Sequence, residues 1–346
     1  MNAPHEIPPQ RATLADIARQ AGVSTATVDR VLNDRAGVRN RTRELVLETA
    51  QRLGYLEPVS DTHDYRPART LDFVLPAGNN TFIRHFAAHL QHISANRPGT
   101  YVRLHHIEGF DPEALSRALN RLEGHSAAVG VVALDHPLVR EALRSLIASG
   151  TRVVTLMSDI SNVAHEGYIG VDNRAAGRLS GYLLGRLLPK DAAKVALFAG
   201  SLSYRGHEER EMGFRHILRD DYPHLSVVEM REVRDDTERA YNEARAILHQ
   251  HPDLSGIYNI GAGNRGIARA IEESGRKNEI IFIGHELTEH TRRFLLNGVM
   301  DVVIDQNPRV EAREAIDRLL HLLQDNKTAP QTPVRVQAIF KENIPE

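Results

Sequence analysis

The 346-residue chain contains no cysteine and no tryptophan, and aromatic residues make up only 5% of it. Without thiols there are no disulfides, no zinc–thiolate centres and no cysteine nucleophile. Without tryptophan, any ring that stacks on a ligand must come from Phe, Tyr or His. No run of 18 apolar residues occurs, and the opening MNAPHEIPPQ holds no apolar signal core. The expectation is a cytoplasmic protein with no membrane partner. The common catalytic signatures are missing too. There is no HExxH, no GxSxG and no P-loop, and Gly261-Ala262-Gly263 does not complete a dinucleotide fingerprint. The 18 histidines do not change this. His105 and His106 fall on opposite faces of a strand, and His207-Glu208-Glu209 reads as a polar loop. We therefore expect no enzyme, no metal and no cofactor.

What is present points elsewhere. The length calls for two or three domains. The net charge of −2 hides an asymmetry, because residues 11–56 carry eight Arg and no Lys against Asp16, Asp29, Asp34, Glu44 and Glu48. A modestly basic head on an acidic body suits a nucleic-acid module fused to something else.

The head, 11–57, reads as three helices. Thr13 suits an N-cap with Asp16 as its capping-box partner, and Leu14, Ile17, Ala18 and Ala21 share one face. Gly22 ends this helix in the left-handed conformation. Ser24 caps the next, whose buried face is Val28, Val31 and Leu32. So tight a turn forces a steep crossing, the helix-turn-helix geometry. The outward face of the second helix then carries Thr25, Ala26, Asp29 and Arg30 toward base edges. Arg30 is placed to donate two hydrogen bonds to guanine. Asp29 either accepts from cytosine N4 or orients Arg30. Thr13, Ser24, Thr27, Asn33 and Arg39 are the expected phosphate contacts. Residues 33–37 form a loop, and a third helix places Val46, Ala50 and Leu53 inward and stops at Gly54. Residues 58–70 are polar, contain Pro58 and Pro67, and read as a linker.

From residue 71 to 346, short β-branched runs (71–75, 101–105, 127–134, 153–156, 194–198, 225–230, 256–259, 280–284, 302–304) alternate with helical patterns. The helices read as 112–122, 139–148, 174–188, 210–218, 238–249, 265–274 and 309–323. Such alternation implies an α/β body with parallel sheets, and two sheets fit better than one. Ligands in such folds collect beyond the carboxyl ends of the strands. The loops expected there hold Asn79-Asn80-Thr81-Phe82-Ile83, Asp135-His136, Ser158-Asp159, 200–210, 261–264, 284–286 and Asp305-Gln306-Asn307. These residue types hydrogen-bond a polyhydroxylated ligand. Asp135 and Asp172 also suit helix caps, and Glu286 also suits an ion pair between lobes.

The head resembles the lactose/galactose repressor family, on Asp16, Ala18, Ala21, Gly22, Val23, Ser24, Thr27, Val28, Arg30, Val31, Asn33, Thr42, Arg43, Ala50, Gly54 and Tyr55. Tyr55 joins the DNA-contacting set through this resemblance, and Asp29 departs from the family's usual Ser. The resemblance also implies a linker helix that wedges a Leu into the minor groove. That position here is Asp64, a carboxylate beside phosphates, so either the register is shifted or, the favoured reading, the operator is not kinked in the usual way. The body resembles the periplasmic sugar-binding fold of the same family, particularly its ribose-binding-like branch. Asn79, Asn80 and Phe82 match its N-N-P-F-[FW], with Thr81 in place of Pro and Ile83 in place of the second aromatic; Arg210 matches its R-x-x-G-[FW], Glu286 occupies the acidic place of G-[YF]-D-[DN], and Gln306 is its late polar contact. Asp172-Asn173 marks the first crossover between lobes.

The resemblance implies an effector site of Asn80, Phe82, Ile83, Asp135, Ser158, Asp159, Arg210, Asn264, Glu286 and Gln306. It implies one lobe of about 71–171 with 305–330, and another of about 172–304 with 331–346. The function it implies is a homodimeric repressor of carbohydrate uptake or catabolism genes. Operator DNA is the partner, and a monosaccharide, sugar acid or cyclic polyol releases it. A corepressor response to a purine-like ligand, or a sugar-binding protein with no regulatory role, is the alternative. The chain's last residues carry no Leu heptad, so no tetramerisation tail is expected.

Overall fold

The computed structural model describes residues 13–32, 38, 40–53, 55, 69–325 and 333–345, in two compact units, 1–68 and 69–346. The loop read at 33–37, the contacts assigned to Asn33 and Arg39, the stop at Gly54 and the wedge position Asp64 lie outside the described residues, as does most of the linker.

The first unit holds α1 (Leu14–Ala21), α2 (Thr25–Leu32) and α3 (Asn40–Arg52). Thr13 caps α1 in a capping box. Its hydroxyl donates to Asp16 Oδ2 at 2.6 Å, and its backbone N–H donates to the same oxygen at 3.0 Å. Gly22 has φ 66°, the left-handed C-cap that a residue with a Cβ adopts only under strain. Ser24 Oγ accepts the Thr27 N–H at 3.2 Å and so starts α2 at the next residue, Thr25. Ile17, Ala18, Ala21, Val28, Val31, Val46 and Ala50 form the small core.

The second unit is α/β. In chain order it runs β1 (Arg69–Ala77), α4 (Thr81–Ala95), β2 (Thr100–Glu108), α5 (Pro112–Leu122), β3 (Ala128–Val131), α6 (Pro137–Ala148), β4 (Arg152–Leu156) and β5 (Tyr168–Ile169). Then follow α7 (Asn173–Leu187), β6 (Ala193–Ala199), α8 (Arg205–Asp221), β7 (Leu225–Glu232), α9 (Thr237–Gln250), β8 (Leu254–Asn259) and α10 (Asn264–Glu273). Last come β9 (Ile281–His285), α11 (Glu289–Leu296), β10 (Val302–Asp305), α12 (Pro308–Leu323) and β11 (Gln337–Ile339).

Two sheets result, ordered β2-β1-β3-β4-β5 and β11-β10-β9-β8-β6-β7. Every pairing is parallel except β10 with β11. Each sheet is wrapped by helices, and α12 returns to pack in the core of the first lobe through Ala312, Ala315, Ile316 and Leu319. The chain therefore passes between lobes at 170–172, again at Gln306-Asn307, and a third time between α12 and β11.

Four differences from the sequence reading have local causes. β1 begins at Arg69, two residues inside the segment read as linker, because Arg69 and Thr70 pair with Thr100 and Tyr101. The residues read as loop after β1 are largely helix: Phe82 and Ile83 sit in the first turn of α4, with Asn80 as its cap. Similarly α8 starts at Arg205, so Arg210 lies on a helix rather than at a loop end. β5 and β11, of two and three residues, are too short to show a period.

Within the second lobe, α7 and α8 cross at two glycines. A Cβ on Gly177 of α7 would lie 1.9 Å from the carbonyl oxygen of Arg210, and one on Gly213 of α8 would lie 2.1 Å from that of Arg174. The two helices thus touch backbone to backbone, each through its own glycine. Gly177→Ala is expected to lower stability by about 2 kcal/mol through forced separation of the pair. Urea unfolding checks this; an unchanged midpoint would contradict the contact.

Candidate functional site

On α2 of the head, Ser24, Thr25, Ala26 and Arg30 are exposed, and Thr27 and Asp29 are half-buried. Thr25, Ala26, Asp29 and Arg30 follow one another along the outward face left by the buried Val28 and Val31. Thr13 is exposed as a helix cap, and Tyr55 is 41% exposed. Ser24 Oγ and Thr27 Oγ1 lie 2.9 Å apart. Of the residues expected to meet DNA, every one that is described thus has side-chain surface open to solvent.

In the body, the strand ends of both lobes face one cleft of about 650 Å³, within the usual range for a small-molecule site. It gathers Asn80, Phe82, Ile83, Ser158, Arg210, Asn264, Glu286 and Gln306 from the expected set. Phe82 and Ile83, 5% and 7% exposed, make one apolar wall. Phe110 and Tyr204 add a second, with ring centroids 5.3 Å apart at 70°. Tyr204 follows β6 in the second lobe yet is buried in the core of the first, so it pins the lobes together.

Arg210 is 5% exposed at the floor. The glycine contact between α7 and α8 is what brings it to the first turn of α7. Its Nε donates to Asn173 Oδ1 at 2.7 Å and its Nη1 to the Ile260 carbonyl at 2.9 Å. Asn173 in turn donates to the Met157 carbonyl at 3.2 Å, which ties the guanidinium to the end of β4. Ser158 Oγ accepts the Gly206 N–H at 3.2 Å and joins the lobes beside it.

Asn264 lines the cleft with its amide already engaged. Oδ1 accepts from Asn259 at 2.7 Å, and Nδ2 donates to the His285 carbonyl at 2.9 Å. A Cβ on Gly284 would stand 2.4 Å from that Oδ1, so the glycine of the Gly284-His285-Glu286 motif makes room for the bond. Glu286 has φ 72°, a strained backbone for a residue with a side chain. Gln306 Nε2 donates to Glu286 Oε1 at 2.6 Å, while Glu286 Oε2 is sealed from solvent and has no partner. Burial, with the nearby Asp305 adding to it, pushes the Glu286 carboxyl up to about 8. His207 and His285 are held neutral, first by burial and then by the Arg210 charge.

Two expected residues are elsewhere. Asp135 accepts from Arg140 at 2.7 Å and from Ser161 at 3.1 Å. Asp159 accepts from Thr155 at 2.7 Å and faces His165 at 2.9 Å. Neither lines the cleft, because each carboxylate is spent on bonds within its own lobe. Nor does Asp135 cap α6; His136 does, whereas Asp172 does cap α7.

Asp235 was missed. It sits in a left-handed pair with Arg234, φ 56° and 50°. Its Oδ2 accepts from Asn80 of the other lobe at 2.9 Å and its Oδ1 from the Ala262 N–H at 3.1 Å. Burial raises it. The rule that singled out the other strand ends also covers the end of β7, where Asp235 lies.

Residues 71–328 match the family described as periplasmic binding protein domain, and residues 13–57 match bacterial regulatory proteins of the lacI family. Catabolite control protein A of Staphylococcus aureus is 27% identical over 210 residues, 60% of this chain and 61% of that protein. The chain thus spans about three fifths of that relative's length in the match. Catabolite control protein A of Priestia megaterium is 23% identical over 84% of this chain and 77% of its own. A glucose-galactose binding protein from Geobacillus stearothermophilus superposes with a TM-score of 0.74 at 22% identity, over 81% of this chain and 99% of that one. A solute-binding protein from Burkholderia graminis, in complex with D-arabinose, gives 0.73 at 21%, over 80% and 96%. At these identities the solved structures establish the fold.

Proposed function

Because the chain belongs to the periplasmic-binding-protein domain family and carries a head of the lacI family of bacterial regulatory proteins, we propose that it is a DNA-binding transcriptional regulator whose body senses a polyhydroxylated small molecule. The observation that carries this reading is the occurrence, in one chain, of an exposed recognition-helix face and a cleft built on Arg210 between two lobes. In this reading Thr25, Ala26, Asp29 and Arg30 read bases, and Thr13, Ser24, Thr27 and Tyr55 hold the backbone. Asn80, Phe82, Ile83, Arg210, Glu286 and Gln306 hold the effector. Ser158 and Asn264 brace the groups that do. The sugar-binding descriptions of the neighbouring structures agree with such a ligand.

The protein acts as a homodimeric repressor in the cytoplasm, with its two heads on half-sites of a near-palindromic operator. The effector favours one arrangement of the lobes and so changes operator affinity, on the usual scale of about 1–3 kcal/mol. Release on ligand binding is the expected sign.

Selection of binding sites from random DNA, followed by gel shifts, tests the reading. A two-fold consensus is expected, and Arg30→Ala is expected to weaken it by about 2 kcal/mol, roughly 30-fold, while effector binding stays intact. Selected DNA without a consensus would overturn the DNA-binding role. Tighter operator binding with ligand would reverse the sign to corepression.

A further inference from the structure

Charge in the cleft is unevenly satisfied. Four arginines line it, Arg84, Arg210, Arg234 and Arg265, and none is within ion-pair distance of a carboxylate among the described residues. The acids there are committed. Glu238 takes both ends of the Arg269 guanidinium at 3.0 Å, and Asp236 caps α9 through the Arg239 N–H. Asp235 is held by Asn80 and Ala262, and Glu286 by Gln306. Arg210 is the extreme case. It is almost wholly buried, its Nε and Nη1 meet only neutral oxygens, and its Nη2 has no protein partner among the described residues. A guanidinium so far from water ordinarily faces an anion, since burying an unpaired charge is costly.

We infer that the effector is a sugar acid, a polyhydroxylated molecule whose carboxylate supplies the missing counter-charge at Arg210. This rests on the reading of the cleft as the effector site and narrows it. One buried guanidinium balances one negative charge. A phosphate dianion would leave a second charge unbalanced at the floor, where the other arginines are nearer the rim and more exposed. The guanidinium–carboxylate hydrogen bonds are charge-assisted and stronger than those to a hydroxyl. Glu286 fits the same ligand. With its carboxyl pushed up to about 8 it is uncharged near neutral pH, so it does not repel a ligand carboxylate. Phe82, Ile83 and Met157 provide the apolar surface for the face of the ring or chain.

The test is calorimetric titration and thermal shift of the full-length protein with matched pairs. Glucose, galactose, xylose and inositol are set against glucuronate, galacturonate, gluconate and xylonate, with glucose 6-phosphate as a further arm. At least one acid is expected to bind tenfold or more tighter than its neutral counterpart. Arg210→Gln is expected to remove that preference while keeping the ligand-free thermal unfolding transition of the body, which reports that the variant is folded. Arg265→Gln, at the exposed rim, is expected to keep it. Neutral sugars binding as well as their acids would overturn the inference and leave the sensor reading standing. The phosphate binding better than every acid would do the same. Silence across neutral compounds, acids and phosphate together would remove the sensor reading and the inference with it.

Discussion

Glu286→Gln is expected to stabilise the protein by about 3 kcal/mol near neutral pH and to change little at acid pH. The carboxyl titrates at 4.5 in an unfolded chain and at about 8 in the fold. Between those values the folded protein holds a proton that the unfolded chain has released, so stability falls as pH rises through this window. Below about 4.5 both states are protonated and the wild-type residue carries no penalty. Each unit of separation is worth about 1.4 kcal/mol, and at about pH 7 some two to three units have accumulated. Glutamine keeps the acceptor for Gln306 Nε2 and has no charge to lose. The cause is specific to one atom: the residue as a whole is half-buried, but Oε2 is sealed and unpartnered. Asp235 and Asp305 are also raised by burial and add to the same slope in both proteins. Urea unfolding of both proteins from about pH 4.5 to 8.5 measures the difference. Parallel stability profiles would show that Glu286 is ionised throughout.

Much of the fold was legible because its signals are local. Nine β-branched runs and their intervening helical periods mark the two sheets, and Thr13, Gly22 and Ser24 mark the head through capping chemistry alone. Features depending on distant partners were not legible. The glycines Gly177 and Gly213 stand in the sequence motifs, but only the packing of α7 on α8 shows that each makes room for the other helix's carbonyl.

The cleft divides in the same way. Asn80, Arg210 and Glu286 follow from motif position. Asp135 and Asp159 look equally suited to a ligand, since a carboxylate at a strand end has no way to signal whether Arg140 or His165 will claim it. Tyr204 shows the opposite failure. An apolar ring in a Ser-Gly-rich stretch gives no sign that it will be buried in the other lobe.

Glu311→Met is expected to stabilise the protein by about 3 kcal/mol at neutral pH, though it removes a charged group from the first turns of a helix. Glu311 is 1% exposed, and neither carboxyl oxygen has a partner. Burial holds its carboxyl well above the ordinary range, and Glu286 and Asp305 push it further while Arg210 opposes them. The protonated form is therefore favoured, and the helix dipole gains little from it. What remains is a polar group buried without hydrogen bonds, which costs about 1–3 kcal/mol, plus the cost of holding its proton in the fold. A flexible apolar side chain of similar length removes both terms with little repacking. The direction separates this account from a hidden ion pair, because breaking one would cost about 3–5 kcal/mol instead. Chemical unfolding at about pH 7 reads the sign directly, and a destabilised variant would mean that Glu311 has a charged partner. Combining Glu311→Met with Glu286→Gln sharpens the test. Where both carboxyls hold their protons no charge couples them, and the two gains are expected to add to within about 0.5 kcal/mol. A shortfall would mean that the two share one proton, and that relieving either relieves both.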